Sequence, residues 1–238
     1  PSYAVHTYRT AGTYLERNTI TSLSAAAPPD LASELEVSGP QSPYCRPGPG
    51  TVIAVASEGD AHLQVTDNTL DALDAVGAGQ AIGVLVRDAA DATVSRNSVL
   101  NITGGSEPPV GIDIANVGVA DVDANAVGKV RGDDAMLGYI ACPDAGSPVG
   151  IRLRSVTAAT VTNNSVWSLV GGSDGSETNR PHCDGGNATA FQISGGSACA
   201  QNNAFFQTVP GLGGEAGGRP GVAVGMQLLD SADVWASS

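Results

Sequence analysis

The sequence predicts an all-β fold in which about seven short rungs stack into a solenoid. Three observations carry that expectation. Asparagines recur at one phase of the pattern, at Asn18, Asn68, Asn97, Asn125, Asn164 and Asn203. The residues around each alternate between apolar and polar with period two and are rich in Val, Ile, Leu and Thr, which is the signature of short strands. Where the intervening loops are short the asparagines stand 29 and 28 residues apart, from Asn68 to Asn97 to Asn125.

Each unit contains three alternating stretches, as in residues 81–102, 110–130 and 149–169. Three residues before each Asn stands Leu15, Val65, Val94, Val122, Val161 or Ala200, and two after it Ile20, Leu70, Val99, Val127, Val166 or Phe205. Thirteen before it stand Val5, Val84, Ile112 and Ile151. The second unit fits through Ile53 with a two-residue insertion, and the sixth through Phe191 with a one-residue deletion. A seventh copy starts at Gly225-Met226-Gln227-Leu228. One unit cannot bury its own apolar face; stacking copies about 4.8 Å apart buries like against like and pairs the backbone between neighbours.

The Asn column has a structural reason. A tight corner between second and third strands needs a residue tolerant of the left-handed region, for which Asn is the favoured choice after glycine. Its amide can also donate to one neighbour in the column and accept from the other.

On this rung pattern and Asn ladder the chain resembles the right-handed parallel β-helix superfamily, the pectate-lyase-like group, over nearly its whole length. The resemblance implies a single-stranded right-handed coil with long loops on one corner. It leaves function open, because that coil serves lyases, hydrolases, epimerases, tailspikes, adhesins and proteins without known activity.

The composition suits a thin coil: 31 Gly and 4% aromatic residues. The unbroken repeat predicts one domain over 1–238. A net charge of −13, with one lysine (Lys129), opposes nucleic acid and anionic membranes as partners. No apolar run is long enough to span a bilayer. Both ends fall inside the repeat without a polar cap, so a piece of a longer chain, or ends that stack on other chains, is expected.

Cys45, Cys142 and Cys183 precede their units by eight or nine residues and so hold similar loop positions. A Cys142–Cys183 disulfide fits that stacking and an oxidising compartment, with Cys45 more remote and Cys199 either a small core residue or a second partner. Zinc, with His182 beside Cys183, is the rival, although Cys-x2-Cys spacing is missing.

The repeat is interrupted at 24–51, 131–148, 170–187 and 210–221. Insertions at one corner project from one face and would wall a groove along the first strand of each rung. Asp30 could cap a helical turn in the first of them. If Ile151 and Leu153 point inward, the outward positions are His6, Ala54, Leu85, Asp113, Arg152, Gln192 and Gln227, with Arg154 at the strand end. The resemblance places the sugar groove of polysaccharide-cleaving relatives on this face. It implies a stripe of Asp113, Arg152, Arg154, Gln192 and Gln227 able to hydrogen-bond a sugar chain, and makes Asp113, Arg152 and Arg154 the candidates for lyase chemistry. The same residues equally read as ordinary outward cross-strand pairs.

The paired aspartates, Gly-His-Gly and Arg-x-Lys of the fold's hydrolases are absent, as is the epimerases' Asp-Pro-His: Asp133-Asp134 lies in a loop and His182 in Pro-His-Cys. No cofactor is indicated. Divalent cations remain open: the loop acids Asp174, Glu177 and Asp184 could take calcium, although the D-x-[DN]-x-[DN]-G pattern is absent. Arg131-Gly132-Asp133 spells an adhesion tripeptide of chance length, Asn101, Asn163 and Asn187 open sequons, and His6 and His62 show no partner. The expectation is a secreted or cell-surface module with a structural or recognition role toward carbohydrate or protein. A polysaccharide lyase or hydrolase is the alternative, and an end-to-end filament subunit the third.

Overall fold

The computed structural model describes residues 2–25, 50–75, 79–105, 107–133, 146–173, 184–213, 218–230 and 233–237. Among them all regular structure is strand, and no helix crosses a membrane's thickness. The order is β1 (Ser2–Tyr8), β2 (Thr13–Glu16), β3 (Thr19–Ser24), β4 (Val52–Glu58), β5 (His62–Thr66), β6 (Thr69–Asp74), β7 (Ala81–Arg87), β8 (Asp91–Ser95) and β9 (Ser98–Thr103). It continues with β10 (Val110–Ala115), β11 (Val119–Asp123), β12 (Ala126–Arg131), β13 (Val149–Thr162), β14 (Ser165–Val170), β15 (Ala188–Gln201), β16 (Ala204–Val209), β17 (Ala223–Leu229) and β18 (Asp233–Ser237).

Strands pair in parallel, not with the next strand in the chain but with the equivalent strand of the next repeat. β1, β4, β7, β10 and β13 form one series; β2, β5, β8, β11 and again β13 form a second; β3, β6, β9, β12, β14 and β16 form a third. β13 and β15 are each 14 residues long and run through the first corner without a break, which joins the first two series into one 12-stranded sheet. The third series is a separate 6-stranded sheet. We call three consecutive strand segments a tier.

The register stacks like side chains. One inward column reads Val5, Val55, Val84, Ile112, Ile151, Phe191, Met226, and another Ile20, Leu70, Val99, Val127, Val166, Phe205. From Val55 to Phe191 and from Leu70 to Val166 these residues are at most 2% exposed, each aliphatic side chain contributing about 1.5–3 kcal/mol by leaving water. The sheets approach closely: a Cβ on Gly111 would lie 2.3 Å from Val127 Cγ1 and 2.6 Å from the Gly150 carbonyl. That leaves room for aliphatic side chains and little for rings.

The second tier departs from the sequence expectation. Val55, not Ile53, occupies the inward column, and no insertion is needed; Ala56 rather than Ala54 takes the outward place beside His6 and Leu85. Ala54 is fully buried in the core. The sixth tier is one residue short: the β13–β15 register shifts between Val156 and Ala159. The shortening falls at Gly195 and Gly196, whose φ angles are 68° and 78°. There a Cβ on Gly196 would meet the Val156 carbonyl at 1.7 Å, so glycine is required twice over.

The second corner corrects the reason given for the asparagines. The left-handed residue is the one before each ladder Asn: Arg17, Asp67, Arg96, Ala124, Asn163 and Asn202, with φ between 52° and 57°. The asparagines instead close a hydrogen-bond column. Each Oδ1 of Asn68, Asn97, Asn125, Asn164 and Asn203 accepts from both the backbone N–H and the Nδ2 of the asparagine one tier earlier, at 2.9–3.0 Å. The remaining Nδ2 hydrogens of Asn97, Asn125, Asn164 and Asn203 go to the carbonyls of Val65, Val94, Val122 and Val161. Asn68 to Asn164 are at most 1% exposed, and a buried amide must be satisfied in this way to avoid a desolvation penalty.

Cys199 does not sit in the core. It alternates with the buried Ala198 and Ala200, faces outward beside Thr160 and Trp235, and is a free thiol of intermediate exposure. Cys45, Cys142, Cys183, His182, Asp30, Asp134, Asp174 and Glu177 lie outside the described residues.

Candidate functional site on the first-series face

Period-two alternation turns one set of side chains of the first series away from the core. The central outward column runs His6, Ala56, Leu85, Asp113, Arg152, Gln192, Gln227. Its two halves differ. In the early tiers Leu85 and Ala56 join Ile53 and Ile82 in a second buried apolar cluster, with Tyr3 packed against it, and His6 stacks on Tyr3 with ring centroids 4.6 Å apart. From Asp113 onward the column is polar.

Asp113 is fully buried and lies between two guanidinium groups. Arg152, its direct partner on β13, donates Nε and Nη2 to the two carboxylate oxygens at 3.1 and 2.8 Å. Arg154, two residues further along the same face of β13, reaches back with the same pair of atoms at 3.3 and 2.8 Å. The Arg152 side chain is 14% exposed and that of Arg154 39%. Buried carboxylates require this kind of neutralisation and full hydrogen bonding. The result is one anion, two cations and a fixed direction for each guanidinium.

Arg152 then forms one wall of an open cleft of about 440 Å³, lined also by Asn187, Thr189, Gln192, Val224 and Gln227. Gln192 Nε2 donates to Gln227 Oε1 at 2.9 Å, which holds the two amides as a pair. Asn187 is positioned by its backbone: its N–H donates to Ser147 Oγ at 3.0 Å and its Oδ1 accepts the Val222 N–H at 2.8 Å. The structure thus brings Arg152, Gln192 and Gln227 to one cleft. It assigns Asp113 to positioning: with no exposed surface and both oxygens engaged by arginines, Asp113 reaches neither a substrate nor a metal.

Other sequence candidates are dispersed. His62 is not without a partner, since it pairs with Asp91 on the second-series face. Asp184 accepts the Arg219 N–H at 2.7 Å. Among the described residues no group of three His, Cys, Asp or Glu is placed to hold a metal ion. Of the sequon asparagines, Asn101 donates to Asp71 and Asn163 to Asp123. Gly132 of the Arg-Gly-Asp tripeptide is buried, where a Cβ would lie 1.9 Å from the Gly146 carbonyl.

Sequence reasoning missed Asp60, a second fully buried carboxylate, at the first corner of the second tier. Burial acts to raise its pKa, but the Thr10 N–H and the hydroxyls of Thr7, Ser57 and Thr13 donate to it at 2.7–3.0 Å and outweigh that, holding the carboxyl below its ordinary value of 3.8. Counting from the ladder would have found it. Eight residues before the first five ladder asparagines stand Thr10, Asp60, Ala89, Val117 and Val156, an otherwise uncharged column whose last three members are at most 5% exposed.

Compared with protein-family models, with curated proteins and with solved structures, the chain matches none.

Proposed function

We propose that the chain is a single-domain right-handed parallel β-helix of the pectate-lyase-like kind, secreted or displayed on a cell surface, which recognises carbohydrate on its first-series face without cleaving it. The parallel pairing of each strand with its equivalent one repeat on, and the closed Asn column, support the fold assignment. One observation carries the functional reading: the face offers guanidinium, paired amides and hydroxyls in one cleft, while the carboxylate that would do acid or base work is sealed between two arginines. Planar donors and acceptors repeated at the strand spacing of about 4.8 Å suit hydroxyls on successive sugars of an extended chain.

Affinity electrophoresis through gels containing acidic or neutral polysaccharides, paired with mass spectrometry of the soluble fraction with and without calcium, tests this. Retardation in at least one gel and no shortened or unsaturated oligosaccharides are expected. Arg152→Ala should weaken retention about tenfold, the value of one charge-assisted hydrogen bond. Retention by no polysaccharide overturns the reading, and unsaturated products replace it with a lyase.

A further inference from the structure

We infer that the corner beside this cleft carries a subsite for an anionic oxygen group, so that the glycan is an acidic one, bearing carboxylate or sulfate; this rests on the carbohydrate reading above. The subsite is a shallow depression of about 580 Å³ lined by Arg87, Asp88, Asn116, Arg154, Ser155 and Ser194, with Ala115 as its floor. Arg87 and Arg154 are the partners of Ala115 on its two sides, so two guanidiniums flank a residue with no reach of its own, their backbones about 10 Å apart at the usual strand spacing.

The Arg87 side chain makes no hydrogen bond or ion pair among the described residues, although Glu58 is its strand neighbour. Arg154 gives Nε and Nη2 to Asp113 and keeps Nη1. Asp88 also lines the depression; its Oδ1 accepts the Asn116 amide at 3.1 Å, which fixes the direction of the carboxylate without removing its charge. Ser155 and Ser194 add hydroxyl donors on consecutive tiers. In a chain of net charge −13, Arg87, Arg152 and Arg154 set against the carboxylates of Asp88 and Asp113 leave one positive charge in excess around this floor. Arginine forks match the oxygens of carboxylate and sulfate. Arg152 and Arg154 share the Asp113 anchor, so a ligand group here is continuous with one in the cleft.

Inorganic sulfate titrated at low ionic strength into isotopically labelled protein should shift the backbone amide signals of Arg87, Asn116 and Ser155. Those shifts should be lost in Arg87→Ala and kept in Arg17→Ala, an equal change of charge at a distant corner. Absence of shifts, or equal loss in both variants, overturns the inference. Titration calorimetry with neutral, uronate-bearing and sulfated oligosaccharides of equal length then assigns the source. An acidic oligosaccharide should bind about tenfold more tightly than the neutral one, with Arg87→Ala removing that advantage and leaving neutral binding unchanged. Preference for the uronate assigns carboxylate, and preference for the sulfated form assigns sulfate. Neutral binding without acidic preference overturns this inference and leaves the carbohydrate reading standing. Sulfate shifts with no oligosaccharide bound overturn the acidic glycan together with that reading.

Discussion

Asp60, at the first corner of the second tier, and Asp113, in the outward column of the first strand series, are both wholly buried, and they are stabilised by opposite means. Asp60 is ionised by neutral donors alone: one backbone N–H and three hydroxyls from two adjacent tiers. Asp113 is held by two guanidiniums and no hydroxyl. The first arrangement closes on itself. Every group that Asp60 touches lies in the first or second tier, and its effect is to clamp one to the other. The second arrangement leaves an excess: two cations for one anion, with part of each guanidinium facing solvent. A buried carboxylate surrounded by hydroxyls is therefore a structural staple, whereas one overpaired with arginine is a device for presenting positive charge on an acidic molecule.

Removing the carboxylates should separate the two roles. Asp113→Ala leaves two partly buried guanidiniums without a counter-charge, and breaking a buried pair costs about 3–5 kcal/mol. Because Arg154 is 39% exposed and can swing into water, the expected loss is at the low end, about 3 kcal/mol, read from the urea midpoint. Glycan retention should fall with it even where the variant is fully folded, since the forks lose their direction.

Asp60→Ala should cost about 2 kcal/mol, the penalty for orphaning the Thr10 N–H, with the hydroxyls partly compensating among themselves as Thr10 and Thr13 already do at 2.6 Å. Retention of polysaccharide should be unchanged. The same residue predicts a pH dependence. Its folded pKa lies below the ordinary 3.8, so the unfolded state binds the proton first as pH falls. Its contribution is complete above about pH 5, declines through pH 4 and is lost once the pH passes below the folded pKa. Stability curves of the wild type and Asp60→Asn should converge in that acid range and diverge above it; parallel curves would remove Asp60 from the clamp.

The contrast also marks what the sequence made legible. The Asn ladder was readable because one residue type returns at one phase in six tiers, and a hydrogen-bond column needs that identity at every level. The left-handed corner beside it was not, because Arg17, Asp67, Arg96, Ala124, Asn163 and Asn202 share a backbone conformation but no side-chain chemistry; the geometry is imposed by the strands on either side. The second tier misled because Val52, Ile53 and Val55 are all apolar, so alternation allows two registers and only the count of thirteen to Asn68 selects Val55. Within the site, Arg152, Gln192 and Gln227 followed from period two, as did the Asp113–Arg152 pairing. The return of Arg154 onto Asp113 did not, since a diagonal contact depends on the length and rotamer of the side chain rather than on periodicity.

A third carboxylate supplies the smallest expected effect and the sharpest control. Asp67 meets Arg96 in the same two-pronged geometry as Asp113 meets Arg152, at 2.8 and 2.9 Å, but at the second corner, where the Arg96 side chain is 55% exposed. The hydrogen bonds and charge of Arg96 hold the Asp67 carboxyl below its ordinary value, yet water and salt screen such a pair and ordering two long side chains offsets most of what remains. Arg96→Ala should therefore leave the thermal midpoint at 150 mM salt (about the physiological ionic strength) within error of the wild type, with a small loss emerging only as salt is lowered. If Arg96→Ala costs as much as Asp113→Ala, burial is not what distinguishes the two forks. The tight geometry alone would then be the stabilising element, and the cationic excess at Asp113 would lose its claim to a separate role.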